Sequence, residues 1–300
     1  MSDQFRGLII TFFGVLFVVP DSLFVRLIDA DALTIAFWRL LLAGGGTAVW
    51  LLLRKGAAPF VALSRTGRYG VIYVAGVGAS GVLFVVAVSL TSVANVVFII
   101  ASLPVFAAIF SKVFLGERFS PRMMMTCAAV LPGLAVIAYG SSETEGANLK
   151  GDLLALGVSA CFAAALTAAR RVRNTSMVPG VAVGYLLGAV AVLPFAAPFS
   201  VPSGQVALVL AHAGFILASS VLLAQGPRYI TSAEVGLLVL LESVLAPLLA
   251  WMVIDENPGA HAVLGGMIVI GALLVSNIVA LRREKRRRAT AAPGPFRNPR

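Results

Sequence analysis

Three ionisable side chains stand deep inside apolar stretches: Asp21, Arg39 and Glu242. A charge surrounded by hydrocarbon is costly, and it persists where it holds a substrate or ion, carries a proton or pairs with an opposite charge. Asp21 and Arg39 each lie about seven residues from the same hairpin joint, and at about 1.5 Å per residue this brings them to similar depth, within reach of an interhelical ion pair. The pair reads as a structural clamp; the sharper alternative makes Arg39 an anchor for a substrate carboxylate, since its planar fork suits bidentate contact. Glu242 interrupts the run Leu237-Leu-Val-Leu-Leu241 midway along its stretch. Its ionised form is poorly solvated there, so a proton or a substrate ammonium is expected to neutralise it; the plainer reading is a protonated acid bonded to a neighbouring helix.

The elements that hold these groups follow from composition. Of 300 residues, 59% are hydrophobic and 12% charged, too few polar side chains to cover a water-facing surface. Apolar runs of helical length fall at 7-28, 32-53, 68-90, 94-115, 121-140, 149-170, 178-199, 204-224, 233-253 and 260-281. Period-two alternation is missing, so the expected fold class is an all-α membrane protein of about ten transmembrane helices. The net charge of +10 resides in joints and tail rather than on a nucleic-acid-binding face. The run from Gly7 continues past any cleavage signal and reads as a retained first helix. Cys127 and Cys161 both sit in apolar stretches, which suits packing better than disulfide or metal chemistry; no metal site and no cofactor are expected.

Basic residues sort by side. With the N-terminus in the cytoplasm, Arg6, Arg54, Lys55, Arg65, Arg68, Lys112, Arg118, Arg122, Arg170, Arg171, Arg173, Arg228 and the tail all fall inside. Arg26 and Lys150 fall outside with Asp29, Asp31, Glu143, Glu145, Asp255 and Glu256. The expected topology is N-in and C-in, in a bacterial inner membrane. Residues 282–300 read as a disordered basic tail near anionic headgroups.

The chain also repeats. Ungapped alignment of Ala94 with Ala233 superposes Val105 on Val244, Ala107 on Ala246 and Glu117 on Glu256, while Gly7 on Gly151 superposes Arg26 on Arg170. Two five-helix halves follow, 1–140 and 141–281. Five is odd, so the second half lies inverted relative to the first, with a cavity expected at their interface.

The stretch Pro104-Val-Phe-Ala-Ala followed by Leu115-Gly-Glu-Arg118 resembles the EamA repeat of the drug/metabolite transporter superfamily. The second copy, Leu241-Glu-Ser-Val-Leu-Ala246 through Asp255-Glu256, resembles the same box, with Asp255 in place of glycine and the proline moved to Pro247. The resemblance implies a carrier with a central cavity lined by the first, third and fourth helices of each half. Helix placement and that likeness nominate Pro20, Tyr73, Phe84, Asn95, Phe98, Ser102, Pro104, His212, Phe215, Ser219, Leu240 and Glu242 as cavity residues. Within that superfamily the chain most resembles the bacterial exporters of aromatic amino acids. The expected function is export of amino acids or related small metabolites by alternating access; the partners are the solute and the lipid bilayer, with no nucleic acid.

Other readings compete. A multidrug or cation exporter would use Glu242 or Asp21 to exchange protons for a lipophilic cation. A sugar-phosphate exchanger needs paired cations in its cavity, which spans eight and nine do not offer. Gly76-Val-Gly78-Ala-Ser80-Gly81 satisfies G-x-G-x-x-G without the strand that motif requires. Its Gly78-Ala-Ser80-Gly81 core matches the serine motif of rhomboid-like proteases, for which His212 would be the base. Pro20, Pro104, Pro132, Pro194 and Pro247 all fall inside expected spans, where each removes a backbone donor. Gly180, Gly184 and Gly188 recur every fourth residue, the spacing of close helix packing.

Overall fold

A computed structural model describes residues 3–116, 121–140, 148–172, 174–225, 229 and 232–291. Glu117, Arg118, Glu143, Glu145, Arg173 and Arg228 lie outside the described residues.

The first span is two helices, α1 (Asp3–Val18) and α2 (Asp21–Leu27), interrupted at Val19 and Pro20. The second is α3 (Ala32–Lys55), whose N-cap Asp31 accepts from the amides of Leu33 and Thr34 at 3.0 Å each. A short helix, α4 (Ala58–Ser64), leads to the third span, α5 (Arg68–Leu90). The fourth span is again double, α6 (Val93–Ile100) and α7 (Leu103–Leu115). Its break precedes Pro104, which occupies the first turn of α7, where its missing N–H leaves no intrahelical bond unmade. Next come α8 (Pro121–Gly140), α9 (Leu149–Arg171) and α10 (Val178–Val192).

The seventh span is shorter than the expected 178-199. Pro194 lies in a 3-10 turn, Leu193–Phe195, beyond the end of α10, because a proline that cannot donate ends the helix rather than bending it. Pro132 and Pro247, by contrast, remain inside α8 and inside α12 (Ser232–Ile254), the latter following α11 (Val206–Gln225). The last helix, α13 (Ala260–Ala291), runs through the basic segment, so residues 282–291, expected to be disordered, are helical. Runs of Arg and Lys are good helix formers and suit a helix C-terminus.

Among the described residues, eight helical segments are long and apolar enough to cross a membrane, and the shorter apolar stretches Met124–Gly140 and Leu238–Ile254 occupy the places of the other two expected spans. Packing is symmetric under exchange of halves. α5 packs on α9 as α11 packs on α1, α10 on α5 as α3 on α11, and α7 on α9 as α12 on α1. The pairs α3 with α10 and α8 with α13 map onto themselves. With five spans per half, that two-fold exchange inverts one half against the other.

Two ends of the bundle are distinguished by charge. One, called here the acidic end, carries Asp29, Asp31, Asp152, Asp255 and Glu256; the other, the basic end, carries Arg54, Lys55, Arg65, Arg68, Lys112, Arg170 and Arg171. The repeat shows in the turns as well. Gly116 and Asp255 each follow the last residue of a fourth span, and both adopt the left-handed conformation, with φ of 68° and 53°. Asp255 is the only non-glycine residue with positive φ among the described residues.

Glycines set the closest approaches. A Cβ on Gly76 would lie 2.6 Å from the Cys161 carbonyl of α9, and one on Gly78 would lie 2.5 Å from that of Gly184 on α10. Gly78 and Gly184 thus face each other backbone to backbone, while Gly81 and Gly180 accommodate the side chains of Leu40 and Tyr73.

Candidate functional site

The break at Pro20 places Asp21 at the first residue of α2, in the bundle interior and 2% exposed. Arg39 of α3 meets it in a forked contact, Nε donating to Oδ1 at 2.9 Å and Nη2 to Oδ2 at 2.5 Å. His212 of α11 joins the same carboxylate, with Nε2 2.6 Å from Oδ1. Asp21 therefore ties span one to span two and to span eight of the other half. All three side chains are buried, as the strength of charge-assisted bonds in a dry interior requires if they are to offset desolvation.

Aromatic rings enclose this triad. The Arg39 guanidinium carbon stands 5.4 Å from the Phe84 ring centre, a cation–π contact. Phe24 stacks on His212 at 5.2 Å, and Phe215 touches both Phe24 and Phe17 at 5.5 Å. Tyr185 of α10 hydrogen-bonds Ser220 of α11 at 3.3 Å. One atom of the triad is left over: Arg39 Nη1 is buried and has no acceptor. It faces Gly81, where an added Cβ would lie 3.5 Å from Nη1 and 3.6 Å from the Tyr185 ring.

Glu242 of α12 is only partly buried and makes no hydrogen bond among the described residues. Its charge interacts with both Asp21 and Arg39. From the sequence no cation was expected at this depth on spans eight and nine. The cation comes instead from Arg39 of span two.

The nominated residues divide. Asp21, Arg39, Phe84, His212 and Phe215 come together, with Pro20 at the helix break beside them and Glu242 within Coulombic reach. Ser219, one turn further along α11 from Phe215, is buried. The others face elsewhere. Tyr73 packs with Leu63, Ala165, Met177 and Val181. Phe98 lies against Gly266 of α13, whose added Cβ would approach its ring to 2.5 Å. Ser102 meets Ser159 of α9 at 3.4 Å, and Leu240 joins Val130, Val269 and Leu273. Asn95 donates to Asp152 at 3.2 Å near the acidic end. Pro104 serves the first turn of α7. Each of these sits on a span expected to line the cavity but makes its contacts elsewhere, and a span predicted by length carries no information on rotation about its axis.

Sequence reasoning missed Phe24, Tyr185 and Ser220. Phe24 is a phenylalanine among many, and only its i+3 spacing from Asp21 put it on the same face.

The protease arrangement does not form. The Ser80 hydroxyl donates to the Val77 carbonyl of its own helix at 3.0 Å, while His212 is engaged by Asp21. No group of three or more His, Cys, Asp or Glu side chains is placed to hold a metal among the described residues.

The model of the EamA-like transporter family matches residues 4–139 and again 149–278. The chain belongs to the EamA-like transporter family. This EamA protein carries the family unit twice, once in each half of the bundle. A solved structure described only as a crystal structure of a protein is similar over 94% of this chain and 99% of its own, with TM-score 0.61 and 19% identity. At that identity the likeness bears on the fold alone. No curated protein sequence matches the chain.

Proposed function

We propose that this EamA protein exports amino acids with apolar or aromatic side chains across a bacterial inner membrane, by alternating access to the centre of the bundle. The observation that carries this reading is a complementary pair of unfilled groups. Arg39 has a buried N–H without an acceptor, and Glu242, within Coulombic reach, has a carboxylate without a donor. A zwitterion supplies both: its carboxylate to Arg39 and its ammonium to Glu242. The rings of Phe17, Phe24, Phe84 and Phe215 offer apolar surface to the rest of the solute. The basic residues of one end support a cytoplasmic placement for both termini, which makes the acidic end external.

The test is flux in liposomes containing the purified protein. Labelled phenylalanine should be carried, and unlabelled phenylalanine should compete far better than phenethylamine, which lacks the carboxylate, or 3-phenylpropionate, which lacks the amine. Glu242→Gln should leave the protein folded and inserted while weakening phenylalanine transport at least about tenfold, the loss expected for one charge-assisted bond of about 1.5–3 kcal/mol.

A second reading is a lipophilic-cation exporter of the same superfamily, favoured by the combination of Glu242 with aromatic rings. Competition by phenethylamine that equals or exceeds that of phenylalanine would replace the first reading with this one.

A further inference from the structure

The acidic end is closed by a polar lattice that joins the halves of the bundle. Arg26, at the end of α2, places Nε 2.9 Å from Glu256 Oε2 and donates from Nη2 to the Thr91 carbonyl at 2.8 Å. The other Glu256 oxygen accepts the Val93 amide, in the first turn of α6, at 2.5 Å. The Thr91 hydroxyl donates to Asp152 of α9 at 2.8 Å and receives the Asn148 amide at 3.2 Å. Spans one, three and four of the first half are thereby fastened to span six and to the turn after span nine in the second.

The members of this lattice differ in strength. Asp152 and Thr91 are 2% and 0% exposed and are bonded side chain to side chain, an attachment shielded from water and salt. Arg26 and Glu256 are 26% and 19% exposed. Their contact is close in distance, but Nε–H does not point at the carboxylate, so it remains an ion pair without an aligned hydrogen bond. The contacting Nε is itself buried, but an unaligned pair between two partly exposed side chains is held less firmly than an aligned, dry one. The clamp of Asp21 and Arg39 is the opposite case, forked and dry. Glu256 is also presented from a left-handed residue, Asp255, a turn that aims its side chain back over the end of the bundle.

We infer that Arg26 and Glu256 form the releasable latch of the acidic end, the contact that parts when the central site opens to that side, while Thr91 and Asp152 form the fixed hinge side of the same closure. The inference rests on the alternating-access reading above.

The experiment uses the full chain in proteoliposomes, with Cys127 and Cys161 replaced by alanine and a reporter cysteine at Phe215. A membrane-impermeant maleimide is applied from the acidic-end side. Arg26→Ala and Glu256→Gln should each raise the labelling rate of the reporter at least about threefold, while Arg26→Lys, which keeps the cation, should leave it within about twofold of the parent. Raising salt from low to about 1 M should speed labelling of the parent and have little effect on the two latch variants. Unchanged labelling in both latch variants, or equal acceleration by Arg26→Lys, would overturn the latch. Phenylalanine flux in separate vesicles of the chain with Phe215 intact reports on the carrier reading. Flux with unchanged labelling sinks the latch alone, and altered labelling without flux sinks the substrate assignment alone.

Discussion

The two halves of the molecule fold alike and differ in what they do with their proline and charged residues. In the first half, spans one and four are broken, at Val19–Pro20 and at Ala101–Ser102. Their counterparts α9 and α12 are each continuous for 23 residues, and α12 holds Pro247 within the helix. The first half contributes a paired acid and base, Asp21 and Arg39; the second contributes Glu242, with no bonded partner among the described residues, and His212, which leans on the first half's acid. The repeat thus conserves helix order, packing partners and terminal turns, whereas the central chemistry is asymmetric. A transporter built this way can retain the mechanical symmetry that alternating access needs and still grip an asymmetric solute.

The largest effect expected from this contrast is between two acids within the spans, Asp21, which is bonded, and Glu242, which has no bonded partner among the described residues. Asp21→Ala strands the Arg39 guanidinium in a dry interior and should cost about 3–5 kcal/mol, seen as a large fall in thermal unfolding temperature in detergent. Adding Arg39→Met should recover most of that loss, since removing both charges removes the desolvation penalty. Glu242→Gln should change stability by less than about 1 kcal/mol, because no described bond is broken. A double variant no more stable than Asp21→Ala would end the clamp reading, and a Glu242→Gln as unstable as Asp21→Ala would make the two halves equivalent in this respect.

Much of this was legible beforehand, for identifiable reasons. Membrane insertion dictates helices of fixed length, so spans could be counted; odd parity within a repeat dictates inversion. Asp21 and Arg39 could be paired because they flank one hairpin, where residue counting measures depth. Glu242 had no such ruler: its Coulombic partners come from spans one and two of the other half, and contacts across a repeat interface leave no mark on local spacing. The same limit hid the latch. Asp152 reads as an ordinary acid in the first turn of a helix, yet it is buried against Thr91, and only the fold reveals that spans three and six touch there.

A smaller effect separates the related contacts of α5 with α9 and α11 with α1. The first is a meeting of backbones, with an added Cβ on Gly76 only 2.6 Å from a carbonyl oxygen. The second has a flexible side chain in the way: a Cβ on Gly14 would meet Leu223 at 3.0 Å. Gly76→Ala should therefore cost about 1–3 kcal/mol through overpacking. Gly14→Ala should be close to neutral, since Leu223 can shift and alanine gains up to about 1 kcal/mol of helix propensity. Equal losses from the two would show that both interfaces are equally rigid, and would remove this distinction between the halves.

The smallest effect concerns the residue pair that most directly relates the halves, Gly116 and Asp255. Both close a fourth span in the same way: the Gly116 amide returns to the Lys112 carbonyl at 3.2 Å and the Asp255 amide to that of Trp251 at 3.1 Å. Positive φ brings an L-residue's Cβ toward its own carbonyl, a strain of roughly 1–2 kcal/mol that aspartate partly relieves and glycine avoids. Glycine also gives the unfolded chain more freedom, which opposes its advantage by about 0.4–1 kcal/mol. The balance predicts a gain of about 0.5 kcal/mol for Asp255→Gly, and a loss of similar or slightly larger size for Gly116→Asp. Among the described residues no atom lies within 4 Å of a Cβ added at Gly116, so backbone strain is the local cost they impose there. Thermal unfolding of the two variants side by side measures the difference. If Asp255→Gly is destabilising, the Asp255 side chain contributes more than its strained backbone costs, and the acidic-end turn has acquired a role that its repeat-related partner at the basic end does not share.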